Sequence, residues 1–126
     1  MIHLKVTDAS FKTKVLESPI PVAVLFCGPW CELCRKASPL MEDIAEHYAG
    51  RVRIMRIDML KNKKSVARFG VRALPTLLFF KAGKAVDAML GLQPKAEIKH
   101  ALDMLLAARK TARGQPHKTV LANAPE

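Results

Sequence analysis

The sequence predicts an α/β domain in which a mixed central sheet, partly parallel and ending in an antiparallel hairpin, is flanked by helices. Short apolar runs alternate with longer segments of helical periodicity, which is typical of a parallel sheet covered by helices. Two further strand-like segments are separated only by a tight turn, which indicates a hairpin. The chain has 126 residues, 50% of them hydrophobic, which fits one domain with one core of ordinary size.

The first part of the chain predicts one strand and one helix. Ile2 to Val6 alternates apolar and polar side chains, as a half-buried strand does. Thr7 or Asp8 can cap the helix that follows. Phe11 and Val15 lie one turn apart on that helix, and we expect both to face the core.

The second strand and the second helix have the strongest sequence signals. Val22 to Phe26 is an uninterrupted apolar run, which predicts a strand buried on both faces. A long helix is expected from about Cys31 to Gly50, because glycine commonly ends a helix. Its apolar stripe comprises Leu33, Ala37, Leu40, Met41, Ile44, Ala45 and Tyr48.

The second half of the chain predicts three strands and two helices. Val52 to Asp58 is a further central strand, and Asn62 to Phe69 is a short helix. Leu77 to Phe80 and Ala85 to Leu90 form the hairpin. The last helix begins at Pro94, a favoured position for proline. Its buried stripe comprises Ile98, Ala101, Leu102, Leu105 and Leu106.

Helical periodicity disappears near the carboxyl end of the chain. The last segment contains Gly114, Pro116 and Pro125 and shows no apolar pattern. We therefore predict a folded domain over residues 1–109 and a flexible basic tail over residues 110–126.

Positive charge is concentrated in one part of the chain. The formal net charge is +10, and eight of the 21 Lys and Arg residues lie between Arg51 and Arg72. Asp58 is the only acid in that stretch, which forms either a face for an acidic partner or a solvated basic surface. Phe69 is its only aromatic residue, so nucleic acid is not expected as a partner, because stacking on bases needs aromatic side chains.

The apolar segments are too short to indicate a membrane protein. The longest runs from Ile20 to Cys27, far below the roughly 20 residues that span a bilayer. The segment Met1 to Lys5 lacks the apolar core of a signal peptide. We expect a cytoplasmic protein with no membrane partner.

Three cysteines lie within eight residues, at Cys27, Cys31 and Cys34. Cysteines this close in sequence cannot link distant parts of a fold by disulfides. In a reducing compartment such a cluster indicates either catalysis or metal binding. A tetrahedral zinc site needs a fourth ligand, and the four histidines show no ligand spacing. We therefore expect no metal and no bound cofactor, only a redox-active Cys31–Cys34 disulfide.

The spacing of the last two cysteines suits thiol–disulfide exchange. Cys31 falls at the start of a helix, where unsatisfied N–H groups and the helix dipole stabilise a thiolate. Arg35 and Lys36 add positive charge, whereas Glu32 opposes it. Cys34 lies about one turn further on and would be less exposed. We expect Cys31 to attack a substrate disulfide and Cys34 to resolve the mixed disulfide that results.

The chain resembles the thioredoxin family from about Ile2 to Ala108. Three features carry the resemblance, namely Trp30-Cys31-x-x-Cys34 after a central strand, Ala73-Leu74-Pro75-Thr76 before the next strand, and Gly91 after the last strand. The resemblance implies the thioredoxin fold. It also implies a cis bond between Leu74 and Pro75, and a substrate groove formed by Trp30, Leu74, Pro75 and Gly91.

The active-site segment departs from the typical family pattern in two ways. Glu32 and Leu33 stand between the cysteines where typical thioredoxins have Gly-Pro, and this dipeptide tunes the reduction potential. Cys27 occupies the position of a family tryptophan. It is either a small buried apolar residue or a third redox thiol that exchanges with Cys31.

A buried charge pair of the family is also expected to be missing. Leu25 stands where the family has a buried aspartate beneath the resolving cysteine, and we assign the accompanying lysine position to Ile54. An apolar pair is physically acceptable, because a lone buried charge costs several kcal/mol. Cys34 would then lack its usual proton acceptor.

The sequence as a whole predicts a protein-disulfide reductase that is re-reduced by a thioredoxin reductase or another thiol donor. Two other functions remain open. The same cysteines could serve a disulfide oxidase or isomerase, although the absence of a visible signal peptide argues against an oxidising compartment. The fold could also serve as a binding or chaperone module with weak redox activity.

Overall fold

The structure is a computed structural model that describes residues 4–107. The tail predicted over residues 110–126 lies outside the described residues, and its boundary with the domain stays a prediction. None of the helices in residues 4–107 is long and apolar enough to cross a membrane. The strands are β1 (Leu4–Lys5), β2 (Val22–Cys27), β3 (Arg53–Asp58), β4 (Thr76–Lys81) and β5 (Lys84–Leu90), and the helices are α1 (Glu32–His47), α2 (Lys63–Phe69) and α3 (Lys95–Ala107).

The five strands form one mixed sheet in the order β1-β3-β2-β4-β5. β1, β3 and β2 run parallel, whereas β4 lies antiparallel to β2 and pairs with β5 as a hairpin. Ala82 and Gly83, with φ angles of 52° and 81°, make the tight turn between the hairpin strands. The predicted α/β architecture with a terminal antiparallel hairpin is confirmed.

A separate hydrophobic core covers each face of the sheet. α1 and α3 pack on one face through side chains such as Met41, Ile44 and Leu102. On the other face Phe11 and Val15 join the core. β2 lies between the two cores, and its first five residues are buried on alternating faces. The apolar run that predicted a doubly buried strand is therefore confirmed.

The apolar stripe of α1 is confirmed except at its first member. Ala37, Met41 and Ile44 are buried in the core. Leu33 is 43% exposed, so its assignment to the buried stripe was wrong. It lies in the first turn of α1, beside the cysteines.

The helix expected near the amino end is a single π-helical turn over Lys12–Leu16. Phe11 and Val15 are nevertheless buried, as the spacing predicted. The ring of Phe11 packs against Phe69 and Phe80, with centroids 5.4 and 5.6 Å away. These contacts fix the π-helical turn and α2 against the same face of the sheet.

Asp8 caps a different helix from the one that its position predicted. Its carboxylate accepts hydrogen bonds from the backbone N–H groups of Lys64 and Ser65, at 3.1 and 2.9 Å, and from the Ser65 hydroxyl at 2.7 Å. These groups belong to the first turn of α2, which lacks a side-chain cap from its own Asn62. Asp8 therefore satisfies orphan donors of a helix more than 50 residues away in the chain.

Replacing Asp8 with alanine should lower the free energy of unfolding by about 1 kcal/mol at neutral pH. Burial raises the pKa of Asp8, but the hydrogen bonds from Ser65 and Lys64 outweigh it and lower the pKa overall. A carboxylate with a lowered folded pKa stabilises the protein at neutral pH and loses that contribution as the pH falls through this pKa. Urea unfolding at neutral and acidic pH should show the deficit shrinking in acid.

The Asp8→Asn variant is the matched control for the charge. Asparagine can still accept hydrogen bonds from α2, so its stability should fall less than that of the alanine variant. A deficit in Asp8→Ala that is equally large in acid would contradict the assignment.

Candidate active site

The junction between β2 and α1 places Cys31 at the amino end of a helix. Residues 28–31 connect the end of β2 to Glu32, the first residue of α1. Cys31 is the N-cap residue, and its Sγ accepts the backbone N–H of Cys34 at 3.2 Å. The sulfur therefore occupies the position where a side-chain acceptor satisfies the first turn and where the helix dipole is positive.

Cys34 lies one turn into α1 and is only 6% exposed, whereas Cys31 is half-buried. The expected difference in exposure is confirmed. The two sulfurs are in hydrogen-bonding contact, and both residues are free thiols. The Cys31 sulfur is thus accessible from outside, and the Cys34 sulfur lies behind it.

Cys27 contacts Cys34 rather than Cys31. Its thiol makes a side-chain hydrogen bond with Cys34, while its interaction with Cys31 is electrostatic only. Exchange of Cys27 with Cys31 therefore stays a prediction, while the contact in the resting protein is with Cys34. Cys27 is half-buried at the end of β2 and packs against the core on the α1 face.

The hydrogen bond between Cys27 and Cys34 shifts the pKa values of the two thiols in opposite directions. Burial raises the pKa of Cys34, but hydrogen bonds from Cys27 and from the N–H of Gly28 lower it in part. Burial also raises the pKa of Cys27, and its hydrogen bond to Cys34 raises it further, against a smaller lowering by Arg56. Cys27 is therefore the thiol that keeps its proton when the pair ionises.

A cleft of about 290 Å³ opens beside the three cysteines. Arg56 and Asp58 of β3 line its far wall, and neither was predicted as a site residue. The Nε atom of Arg56 is buried and has no hydrogen-bond partner within residues 4–107. The other lining residues are Lys5, Leu25, Gly28, Pro29, Arg35, Ser38 and Ile57.

The expected apolar pair is present, because Leu25 and Ile54 are both buried in the core on the α1 face. Leu25 of β2 lies opposite Arg56 of β3, whereas Ile54 lies opposite Ala23. A cation, Arg56, nevertheless lies two residues further along β3, while position 25 offers no carboxylate.

The dipeptide between the cysteines is exposed and partly neutralised. Arg35 donates a hydrogen bond to the Glu32 carboxylate at 3.1 Å, and both side chains are more than half exposed. The opposite charges of Glu32 and Arg35 thus largely cancel each other. Leu33 presents an apolar surface next to this ion pair.

Trp30 covers the backbone of the loop that leads to Cys31. Its side chain is 57% exposed. A Cβ atom built on Gly28 would lie 2.6 to 2.9 Å from three atoms of the indole ring, so the ring lies directly on this glycine. Only a residue without a side chain allows this close approach.

The proline loop forms a second part of the candidate site. The bond between Leu74 and Pro75 is cis, as expected, and Pro75 is buried. The N–H of Gly91 donates to the carbonyl of Pro75 at 2.7 Å. Leu25 lines both the cysteine cleft and a small cavity that Pro75 and Gly91 border. Leu74 is half-buried and lines neither of these spaces.

Metal binding finds no support in the described part of the chain. Across residues 4–107, no group of three or more His, Cys, Asp or Glu side chains is arranged to hold a metal ion. The expectation that the protein uses no metal stays a prediction.

The comparisons with known proteins agree with this geometry. The Thioredoxin family profile matches residues 2–104. The chain is 42% identical over 98 residues to Thioredoxin 1 of Synechococcus elongatus, covering 78% of this chain and 92% of that protein. It is 40% identical over 103 residues to the thioredoxin of Pyropia yezoensis, covering 82% and 96% of the two chains. Against Thioredoxin M4, chloroplastic, of Arabidopsis thaliana the identity is 33% over 79% of this chain and 52% of that protein.

The fold, the two cysteines at the start of a helix and the cis-proline loop are those of a protein that carries out thiol–disulfide exchange. This chain belongs to the thioredoxin family. It is a thiol–disulfide oxidoreductase of the protein-disulfide reductase type. Neither the binding-module function nor the oxidase or isomerase function is favoured.

Replacing Gly28 with alanine should displace the Trp30 indole, because the new methyl group would overlap the ring. The ring can swing into solvent, so we expect fluorescence emission at longer wavelength and stronger quenching by acrylamide, with little loss of stability. The chain has one tryptophan, so the emission reports on this residue alone.

Gly50→Ala is the control for this experiment, because it adds the same methyl group beyond the other end of α1, where a Cβ atom meets nothing within 4 Å and the φ of 85° confines the strain to the local backbone. Its emission should match that of the unaltered protein. Unchanged emission and quenching in Gly28→Ala would show that the ring does not rest on this glycine.

Proposed function

We propose that Cys31 is the nucleophile and Cys34 the resolving thiol in the reduction of protein disulfides. The observation that carries this assignment is the asymmetry of the two sulfurs. Cys31 is half-buried, caps α1 and accepts the N–H of Cys34, whereas Cys34 is 6% exposed and lies in contact behind it. An incoming disulfide therefore meets Cys31 first.

The reaction proceeds by two successive exchanges. The Cys31 thiolate bonds to one sulfur of the substrate disulfide, and the other substrate sulfur leaves as a thiolate that takes up a proton. Cys34 then bonds to the sulfur of Cys31 and displaces the second substrate sulfur, which is also protonated. The substrate gains two electrons and two protons, and the protein keeps a Cys31–Cys34 disulfide.

Trp30, Leu74, Pro75 and Gly91 form the substrate-docking surface in this proposal. Trp30 is exposed beside Cys31, and its position is fixed by Gly28. The hydrogen bond between Gly91 and Pro75 joins the end of β5 to the proline loop. An extended substrate segment can pair with the backbone at Leu74, as the family resemblance implies.

Glu32, Leu33 and Cys27 tune the site in this proposal. Glu32 neutralises Arg35 beside the nucleophile, and Leu33 offers an apolar contact to a substrate. Cys27 acts on the buried sulfur through its contact with Cys34. The dipeptide therefore acts on the outer sulfur and Cys27 on the inner one.

A thioredoxin reductase or another thiol donor would regenerate the dithiol, and the reaction needs no bound cofactor. We place the protein in the cytoplasm, where thiols are kept reduced and a clustered dithiol is typically catalytic. Sustained turnover requires that donor, because each catalytic cycle leaves the protein oxidised.

Cys34→Ser should trap the first covalent intermediate. With insulin as the disulfide substrate, this variant should accumulate a mixed disulfide at Cys31, because no thiol is available at position 34 to resolve it. Intact mass under non-reducing conditions should show the added insulin chain, and the adduct should disappear with excess dithiothreitol.

Cys31→Ser is the matched control and should form no such adduct and reduce no insulin. An adduct of equal yield in Cys31→Ser, or insulin reduction by that variant, would reject Cys31 as the nucleophile.

Glu32→Gln should speed the attack of Cys31 on an anionic disulfide. Removal of the carboxylate leaves the Arg35 charge uncompensated beside the sulfur. We expect a two- to fivefold faster reaction with 5,5′-dithiobis(2-nitrobenzoate) at low ionic strength, and no difference at about 1 M salt, because both charges are exposed and screened.

Glu46→Gln carries the same charge change near the other end of α1 and serves as the control. If it accelerates the reaction as much as Glu32→Gln does, net charge and not the local ion pair determines the rate.

A further inference from the structure

The burial of Cys34 makes the resolving step chemically demanding. Cys34 must lose its proton to attack Cys31, yet it is 6% exposed and burial raises its pKa. Position 25, which faces the same cleft, is leucine and offers no carboxylate to accept the proton. Some other groups must therefore stabilise a thiolate at Cys34.

The first such group is Cys27. Its thiol is in hydrogen-bonding contact with Cys34. The contact favours a protonated Cys27 beside an ionised Cys34, so the S–H of Cys27 is the donor and the Cys34 sulfur is the acceptor. The backbone N–H of Gly28 makes a second hydrogen bond to the same sulfur. Hydrogen bonds to the charged form favour ionisation.

The second group is Arg56. β3 places it directly opposite Leu25, and it lines the cleft together with Cys27 and Cys34. Its Nε–H is buried and has no partner within residues 4–107. Buried donors are normally paired, and an unpaired one next to an active site calls for an explanation. In the resting protein the charge of Arg56 offsets part of the rise that burial causes in the pKa of Cys27, and a thiolate formed at Cys34 in the same cleft would place a second negative group near the unpaired donor.

We propose that Cys27 and Arg56 stabilise the Cys34 thiolate during resolution, so that this chain resolves its mixed disulfide with a hydrogen-bond donor and a cation in place of a buried carboxylate base. This inference rests on the proposed roles of Cys31 and Cys34. Cys27 and Arg56 are positioning residues, because both act through Cys34 and neither forms a bond with the substrate.

The step is balanced without a further reactant. A bond forms between Cys34 Sγ and Cys31 Sγ as the bond between Cys31 and the substrate sulfur breaks. Cys34 and Cys31 end as the disulfide, and the substrate sulfur takes the electron pair. The proton that Cys34 loses passes to solvent and is replaced on the leaving substrate thiolate.

Stopped-flow reaction of the reduced protein with excess 5,5′-dithiobis(2-nitrobenzoate) separates the two exchanges. The first equivalent of thionitrobenzoate reports the attack by Cys31, and its rate depends on reagent concentration. The second equivalent reports the attack by Cys34 on the mixed disulfide, and its rate does not. The pH profile of this second phase follows ionisation of the resolving thiol.

Arg56→Met should slow the second phase about tenfold at neutral pH and move its pH midpoint upward, with a much smaller effect on the first phase. Arg56→Lys keeps the charge and should recover part of the rate. Cys27→Ala should also slow the second phase, and Cys27→Ser, which retains an O–H donor, should slow it less. Lys5, Arg35 and Asp58 also face the cleft and stay unchanged in every variant.

Arg53→Met is the matched control, because it removes a cation from the same strand at a position outside the cleft. Its two phases should equal those of the unaltered protein. Urea unfolding distinguishes a structural role, since removing a buried donor that lacks a partner should not destabilise the fold.

Second-phase rates and pH midpoints that are unchanged in both Arg56→Met and Cys27→Ala would overturn the inference. So would an equal slowing of both phases together with a loss of stability in Arg56→Met, because that pattern indicates general damage. Failure of the proposed function looks different. In that case Cys31→Ser would still release its first equivalent as fast as the unaltered protein, whatever residues occupy positions 27 and 56.

Discussion

The burial of β2 on both faces is the constraint on which the rest of the structure depends. Its residues alternate between the two cores, so that neither face can shift without exposing apolar side chains. The strand therefore holds its carboxyl end in a fixed position and direction. Because Cys27 ends this strand and only residues 28–31 separate it from α1, the location of the cysteine sulfurs follows from the packing of the core.

The register between β2 and β3 has a direct chemical consequence. It places Arg56 opposite Leu25 and Asp58 opposite Cys27, so that one wall of the cleft carries charge while the other carries thiols. Arg56 and Asp58 both lie on the charged wall, and the Nε atom of Arg56 is buried without a partner within residues 4–107. In the proposed mechanism this donor offsets part of the cost that burial imposes on ionisation of Cys34, whose pKa is raised.

Much of this fold was predictable from the sequence, because its strongest signals are two-sided apolar runs and helical stripes. β2, the length of α1 and the terminal hairpin follow from side-chain periodicity alone. The capping of α2 by Asp8 was not predictable, because the two partners lie 56 and 57 residues apart and only the folded chain joins them. The exposure of Leu33 was missed because the helical spacing does not show that the first turn of α1 lies beside the site rather than over the core.

The candidate site was likewise predictable from the sequence only in part. The nucleophile, the resolving thiol and the proline loop are each marked by a local motif, whereas Arg56 is marked by none. β3 contains Ile54, Met55 and Ile57 around Arg56, so apolar content alone does not decide which residue faces Leu25. Ile54 and Arg56 lie two residues apart and therefore on the same face of the strand. The sequence pattern does not show that Arg56 also borders the cysteines, which only the folded chain reveals.

The arrangement of charge suggests why the two sulfurs can be tuned separately. The outer sulfur of Cys31 is surrounded by solvent-exposed groups, where the ion pair of Glu32 and Arg35 is screened by salt. The inner sulfur of Cys34 is surrounded by buried groups, where a hydrogen bond or a cation acts at lower dielectric and is screened little. Substitutions in the dipeptide therefore act chiefly on the encounter with substrate and on the first exchange, whereas substitutions at Cys27 and Arg56 act on the second. In the proposed mechanism, the rates of the two exchanges in this chain can therefore be altered independently.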